Sequence, residues 1–443
     1  QTCALPILKP LQIGLVGFGT VGRGTYELLT RNQAIIQRRL GRSLHIAMVA
    51  DLDADKVRSV VAKDCHVVSD AKHILEHPDI DVVIELVGGY GFAKEVVLRS
   101  IDAGKHVVTA NKALLALHGE EIFAKAREHK TMIGFEASVA GGIPIIKVMR
   151  EGLAANQIDS IAGIINGTTN FILTQMREKG WGFDQALAQA QSLGYAEADP
   201  TFDIEGVDAA HKCSLLTAIA FGVPIPFAQA YVEGISQLEV KDMRFAAQLG
   251  YRIKLLGVTK RTPEGIEVRV HPCLVSERSL IDSVDGAMNA VMVHSDALGT
   301  SMYYGKGAGG EPTASAVIAD LMDIARMQSA DIPQRVPHTA FQVHAIESTR
   351  ILPIDEVTTC FYLRIAVADQ SGVLVSVTGI LAEHEISVDA MLQQPADASS
   401  KQAELIILTH AAQEGVMNQA MAKIQKLPTV LAPLVRLRKE DFS

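Results

Sequence analysis

Residues 11–22 read LQIGLVGFGTVG: an apolar run of strand length enters Gly17, Gly19 and Gly22, and a helical pattern continues through Leu29 and Ile36. Few backbones accept that order. The first glycine allows a tight turn, the second lets main chain approach a bound group, and the third lets a helix press on its strand. A helix starting there presents free N–H groups and the positive end of its dipole, which suits a pyrophosphate. The glycine spacing alone is weak evidence. Between a strand and a helix it is specific, and it predicts a dinucleotide held by Gly17, Phe18, Gly19, Thr20, Val21 and Gly22.

The strands that follow agree. LHIAMVA ends at Asp51, DVVIELVGG spans 81–89, HVVTANK spans 106–112 and TMIGFEASV spans 131–139. Apolar strands alternating with helical stretches give a parallel sheet covered on both faces. The fold class is therefore α/β, opening with a Rossmann-type domain over 11–136. A second, α+β block at 137–340 mixes helices with strands such as KLLGVTK and IEVRVHP. Within it, YYGKGAGGEPTASAVIADLMDIA is a glycine-rich turn feeding a long amphipathic helix. A connector is the plain reading of that turn, but so many glycines also suit close approach of a ligand. Helix 310–325 is expected to return to the nucleotide domain.

The third block, 355–438, follows RILPIDEV. Alternation in TCFYLRIAV puts Phe361, Leu363, Ile365 and Val367 on one face. Helices at about 372–383 and 414–426 and strands ISVDAMLQQ, AELIILTH and VLAPLVRLR complete a β-α-β-β-α-β order, the ferredoxin-like arrangement. One sheet face is expected to carry the helices and the other a partner. Joined through the Pro353 segment, the block is expected to be separable.

Composition excludes some classes. With 443 residues, 48% of them apolar, the chain has material for about three domains. A net charge of −9 argues against nucleic acid, which needs a basic surface. The arginines at 31, 38, 39 and 42 read as a solvated helix face. No apolar run reaches the length of a membrane span; the nearest, 215–227, is broken by Gly222, Pro224 and Pro226. Five cysteines, odd in number and without CxxC spacing, fit a reducing cytoplasm. The start, QTCALPILKP, reads as a ragged N-terminus rather than a signal peptide. His66, His73 and His77 lack a matching acid or thiolate set, so no zinc site is expected.

Chemistry concentrates in DIEGVDAAHKCSLL, residues 203–216. Asp208 and Lys212 are four apart, on one helix face, and the run from Cys213 to Ala220 looks buried. The pattern alone favours an ordinary surface pair worth a few tenths of a kcal/mol. The functional reading is a proton donor: reducing a carbonyl by hydride leaves an alkoxide, and a positioned ammonium supplies its proton. Cys213 and His211 read as packing and structure, because neighbours in a helix point about 100° apart.

Taken together, GFGTVGRG, TANKALLA, FEASVAGGIPII, IINGTTNFIL, GYAEADPTFDIEGVDAAHK and GKGAGGEPTASAV closely resemble the homoserine dehydrogenase family. VADQSGVL and LAEHEISVDAML resemble an ACT domain, and no kinase region precedes the rest, as in the stand-alone bacterial form. The resemblance implies reversible NAD(P)H-dependent reduction of L-aspartate 4-semialdehyde to L-homoserine, by a homodimer or homotetramer. It assigns Lys212 as proton donor, Asp208 as its carboxylate neighbour, and Lys112 as a second lysine between cofactor and substrate. Glu197 is assigned to the substrate ammonium, with Asp203 and Gly194 in the same substrate-binding segment. Thr109, Lys112 and Gly309 are implied cofactor contacts. Backbone carbonyls at Glu136, Val139, Gly141 and Ile143 are implied ligands of a sodium-like monovalent cation.

Asp51 departs from the pattern of NADP-using members, which often carry an arginine there. An acid suits a free ribose 2′-OH and repels a phosphate. NAD against NADP stays open, since Lys56 or Arg58 can compensate. L-threonine is the expected effector of the tail, bound beside Asp369, Gln370, Gly372 and Ser387. Two other readings compete. A phosphorylating semialdehyde dehydrogenase needs a thiolate nucleophile, and no cysteine stands in a suitable loop. A catalytically dead sensor has no use for Glu197, Asp208 and Lys212 together.

Overall fold

Six short strands form the first sheet: β1 (Leu11–Val16), β2 (Leu44–Ala50), β3 (His66–Val68), β4 (Val82–Glu85), β5 (His106–Thr109) and β6 (Ile133–Gly134). They lie in the order β3-β2-β1-β4-β5-β6, and every pairing is parallel. Leu11, Ile13, Leu15, Val82, Val83 and Ile84 are fully buried, as expected of strands covered on both faces. Strand order reverses between β1 and β4, which opens a crevice at their carboxyl ends. The computed structural model describes residues 9–330, 335–395 and 401–441; the start of QTCALPILKP, with Cys3, lies outside them.

Two strand expectations change. The run 131–139 is a strand only at Ile133–Gly134, because Asp320 takes the Glu136 N–H (2.9 Å) and the chain turns into a 3-10 helix at Glu136–Ser138. β3 escaped notice in the sequence, being three residues long at the sheet edge. The expected basic helix face holds for Arg31, Arg38 and Arg39, which are exposed, but not for Arg42, which lies past the helix end. Arg42 is buried, donating to Gln328 Oε1 at 2.9 Å, and Arg31 pairs with Glu311 at 2.6 Å.

Compact units interleave along the sequence. One contains the chain up to Ile161, His211–Ala228 and Asn289–Ser348; the other contains Ala162–Ala210, Gln229–Met288 and Thr349 onward. Helix Gly310–Ser329 belongs to the first, where Val317, Leu321 and Ile324 share a core with Leu11, Ile13 and Leu29. It crosses the glycine helix, Thr20–Arg31, so closely that a Cβ on Gly24 would stand 2.6 Å from the Gly310 carbonyl carbon.

In the second unit, Tyr251–Thr262 and Gly265–Ser276 form a long antiparallel hairpin. Strand Val435–Glu440 lies parallel to Gly265–Ser276, pairing Cys273 with Arg438. Beyond it follow Thr358–Ala368, Gln402–Thr409 and Val388–Pro395. With helices Val373–Glu383 and Glu414–Ile424 this is the β-α-β-β-α-β order expected of the tail. Phe361, Leu363, Ile365 and Val367 face those helices in one buried cluster.

The opposite face receives helix Val240–Gln248 of the same unit, with Arg364 Nε donating to Asp242 Oδ1 at 2.5 Å and Tyr362 donating to it at 3.3 Å. The tail is thus hydrogen-bonded into the sheet of its unit rather than hung from the Pro353 segment. Among the described residues no helix is long and apolar enough to cross a membrane.

Candidate active site

The glycine turn has the geometry its spacing predicts. Gly17 takes φ 94°, and a Cβ on Gly22 would stand 2.1 Å from the Gly17 carbonyl oxygen. A Cβ on Gly19 would meet nothing within 4 Å, so the main chain is open to a ligand where the pyrophosphate is expected. Gly19 also N-caps the glycine helix with no side-chain acceptor, and Thr20, Val21 and Gly22 form the helix's first turn. These features fit a dinucleotide at the carboxyl end of β1.

Asp51 sits just beyond β2 and accepts twice: from the Phe18 N–H at 2.6 Å and the Asp53 N–H at 2.9 Å. It thereby braces the glycine turn. Arg58 is exposed and pairs with Asp55 at 2.8 Å. The sequence reading missed Glu85. This fully buried carboxylate at the end of β4 accepts from the Thr109 hydroxyl at 2.7 Å and the Val87 N–H at 2.9 Å. Asn111 caps helix Lys112–Glu128 through the Leu114 N–H (3.0 Å) and donates to the Gly89 carbonyl (2.5 Å). Thr109 and Lys112 thereby stand at the carboxyl end of β5, two strands over from β1, with Lys112 half-buried.

Glu136, Val139, Gly141 and Ile143 lie on one buried segment of the first unit. Two consecutive left-handed residues, Ala140 (φ 54°) and Gly141 (φ 52°), reverse the chain there. The Glu136 carboxylate is committed to the N–H groups of Ile146 (2.9 Å) and Lys147 (2.8 Å). Of the implied carbonyl ligands, that of Ile143 accepts the Ile145 N–H at 2.8 Å. Burial, with Asp320 nearby, pushes the Glu136 carboxyl up to about 8, and burial pushes Asp320 up to about 7. Gly309, at φ 117°, caps helix Gly310–Ser329, and a Cβ on Gly310 would stand 2.9 Å from the Thr20 carbonyl oxygen. The GKGAGG stretch therefore abuts the glycine helix.

In the second unit the acidic segment converges on a residue the sequence reading passed over. Asn166 Nδ2 donates to Asp203 Oδ1 at 2.7 Å and to Asp208 Oδ2 at 2.8 Å, while its Oδ1 caps helix Gly167–Lys179 through the Thr169 N–H. The Thr168 hydroxyl donates to the Tyr195 carbonyl at 2.6 Å, with Asp203 Oδ2 3.2 Å away. Asp203 and Asp208 are brought together in this way. Glu197 and Gly194 are not: both are exposed, with the Glu197 carbonyl accepting from Gln191 at 3.0 Å.

Helix Val207–Phe221 carries both Asp208 and Lys212. They are 4% and 8% exposed, so the surface-pair reading fails. A buried ammonium keeps its charge only with hydrogen-bonding or ionic company. Cys213 and His211 are buried in the same helix, and the cysteines at 65, 213, 273 and 360 form no disulfide. In the tail, Gly372 (φ 90°) caps helix Val373–Glu383, with Asp369 and Gln370 exposed at that end; Ser387 is not brought to them, since it follows the helix at its other end, where its carbonyl accepts the His410 N–H at 2.9 Å.

Fold and site define a class, the nicotinamide-dependent oxidoreductases. Similarity to known proteins narrows it. The homoserine dehydrogenase model matches residues 144–322, the homoserine dehydrogenase NAD-binding domain 17–136, and the ACT domain 361–429. Homoserine dehydrogenases of Neisseria gonorrhoeae and Pseudomonas aeruginosa are each 51% identical, covering 98% of this chain and all of theirs. The crystal structure of a homoserine dehydrogenase from Thiobacillus denitrificans is 53% identical, with a TM-score of 0.93 over 98% of this chain and 99% of that one. A hyperthermophilic archaeal homoserine dehydrogenase in complex with NADPH is 28% identical, with a TM-score of 0.61 over 72% and 98%. The chain belongs to the homoserine dehydrogenase family. Its reaction is the reversible NAD(P)H-dependent reduction of L-aspartate 4-semialdehyde to L-homoserine.

Proposed function

We propose that Lys212 gives the proton to the aldehyde oxygen as hydride arrives, and takes it back in homoserine oxidation. One observation carries this: Lys212 is buried one helical turn from Asp208, whose carboxylate Asn166 fixes. Asp208 holds the ammonium charged and aimed, and Asp203, on the same asparagine, extends the acidic wall. Glu197 meets the substrate's own ammonium; its exposure in this structure suits a group reached by an incoming ligand. Lys112 lies between cofactor and substrate. The glycine turn, Thr109 and Gly309 would hold NAD(P)H, which would supply or accept the hydride, and the carbonyls of Glu136, Val139, Gly141 and Ile143 would hold a monovalent cation.

Asp51 favours NAD(H), and since an archaeal relative was solved with NADPH, use of NADP(H) stays open. The protein works as a homodimer or homotetramer in the cytoplasm. L-threonine inhibits through the ACT-type tail, with Asp369, Gln370 and Gly372 at the ligand's edge. The test of the central assignment is Lys212→Ala. Homoserine-dependent NAD(P)+ reduction should fall about 10²- to 10⁴-fold, with cofactor binding by fluorescence titration unchanged. A variant with near-normal turnover removes the proton-donor role.

A further inference from the structure

Glu85 ends β4, and in register it stands beside Val16 of β1 on one side and Thr109 of β5 on the other. It is fully buried, and among the described residues no lysine, arginine or histidine pairs with it. Three donors take the place of a counter-charge. One carboxylate oxygen accepts the N–H groups of Val87 (2.9 Å) and Gly88 (3.2 Å), and the other accepts the Thr109 hydroxyl (2.7 Å). Bonds to a carboxylate are of the stronger kind.

The two oxygens thus serve different segments. The first holds the loop after β4, residues 86–91, where Gly88 and Gly89 take φ 80° and 68° and the sequence LVGGYG supplies little stiffness of its own. The second holds the turn after β5. A further tie closes the ring of bonds: the Thr109 hydroxyl accepts the Asn111 N–H at 3.0 Å, and Asn111 Nδ2 donates to the Gly89 carbonyl at 2.5 Å. The loop also rests on the glycine turn. The Leu86 N–H donates to the Val16 carbonyl at 2.9 Å, and a Cβ on Gly17 would stand 2.8 Å from the Leu86 carbonyl. Glycine turn, loop 86–91 and turn 109–111 are one bonded assembly with Glu85 at its centre.

In a sheet of this strand order a dinucleotide lies across the carboxyl ends, centred where the order reverses between β1 and β4. With the pyrophosphate read at the glycine turn and the adenosine ribose at Asp51, beyond β2, the nicotinamide half falls on the side of β4 and β5. Val87 and Tyr90 of the loop there are 45% and 58% exposed, surface of the kind a flat ring covers. We propose that Glu85 is a positioning residue for the nicotinamide half of the cofactor. It acts through others, clamping the loop after β4 to the turn after β5 so that both hold one seat for the ring. This rests on the reading of the glycine turn as the pyrophosphate's seat.

The experiment is calorimetric titration of the full chain with NADH, NADPH and ADP-ribose, which carries the adenosine and pyrophosphate but no nicotinamide. Glu85→Gln keeps the shape and one acceptor oxygen, so it must release either the loop or the Thr109 hydroxyl. Its Kd for the reduced dinucleotide that the wild type binds more tightly should rise about tenfold, while its Kd for ADP-ribose stays within about twofold. Asn111→Ser keeps an oxygen to cap helix Lys112–Glu128 and loses the tie to Gly89, so it should show the same split at smaller size. Equal weakening of both ligands makes Glu85 a merely structural residue and overturns the proposal, and so does unchanged binding of both. If Glu85→Gln does not fold, Asn111→Ser decides by the same split. A wild type that binds NADH or NADPH but not ADP-ribose removes the pyrophosphate's seat from the glycine turn, and this inference with it.

Discussion

The nucleotide turn of the first unit and the acidic cluster of the second are built by different means. At the nucleotide turn main chain does the work: a glycine at φ 94°, an open Gly19 and a helix start without a side-chain cap. In the acidic cluster side chains do it, with Asn166 bridging to Asp203, 37 residues on, and to Asp208, 42 on. A backbone turn is a local instruction, written in the residues that make it. A hydrogen-bonded bridge between distant segments has no local signature, and it fails when one member is lost.

That contrast predicts where the site is fragile. Asn166→Ala should do the most damage, because it removes a donor shared by two carboxylates and the cap of helix Gly167–Lys179. Loss of a hydrogen bond to a charged group costs about 1.5–3 kcal/mol, and loss of a cap about 1 kcal/mol. Urea unfolding should show a lowered midpoint, and turnover should drop with it. An unchanged midpoint and turnover would mean that the bridge is incidental, and the contrast would dissolve.

Asp51→Asn sharpens the other side. The amide keeps an acceptor for the Phe18 N–H while removing the charge. The ratio of kcat/KM for NADP(H) over NAD(H) should rise about tenfold, about 1.4 kcal/mol, with the NAD(H) value nearly preserved. Loss of activity with both cofactors would make Asp51 chiefly a brace for the turn, and a ratio that stays put would give the ribose to other residues.

The smallest effect concerns pH. Glu136 and Asp320 titrate near 8 and 7 when folded, above their ordinary values of 4.5 and 3.8. The folded state therefore holds more protons than the unfolded chain between those limits. The stability these groups contribute is fully present below about pH 4 and is lost as pH rises through 7 to 8. Asp320→Asn keeps an acceptor for the Glu136 N–H and should flatten that alkaline fall in a thermal-melt series from pH 6 to 9. An identical slope in the variant would place the alkaline sensitivity elsewhere.

Much of the fold could be read from residues. Alternation in TCFYLRIAV gave the helix-bearing face of the tail, and the strand–glycine–helix order gave the first sheet's opening. What could not be read was decided by tertiary partners. TMIGFEASV has strand composition throughout, yet Asp320, some 184 residues away, draws the chain out of the sheet at Glu136. Glu85 looked like one polar residue inside an apolar strand, and only the fold shows that it receives Thr109 and the Val87 N–H. The i,i+4 spacing of Asp208 and Lys212 was plain, but spacing does not tell a buried pair from an exposed one.

Strand Val435–Glu440 has neighbours on both sides, Gly265–Ser276 on one and Thr358–Ala368 on the other. It is the seam of its sheet, and it lies far downstream of the hairpin it closes. Earlier segments pair with residues 266–270 of that strand, but during synthesis its Cys273–Val275 stretch must wait until about residue 440 has left the ribosome. An exposed strand edge invites pairing with other chains. Cutting the chain after about Ile351 would make that waiting state permanent, so a truncated enzyme should fail first by aggregation in the cell and only then by any loss of regulation.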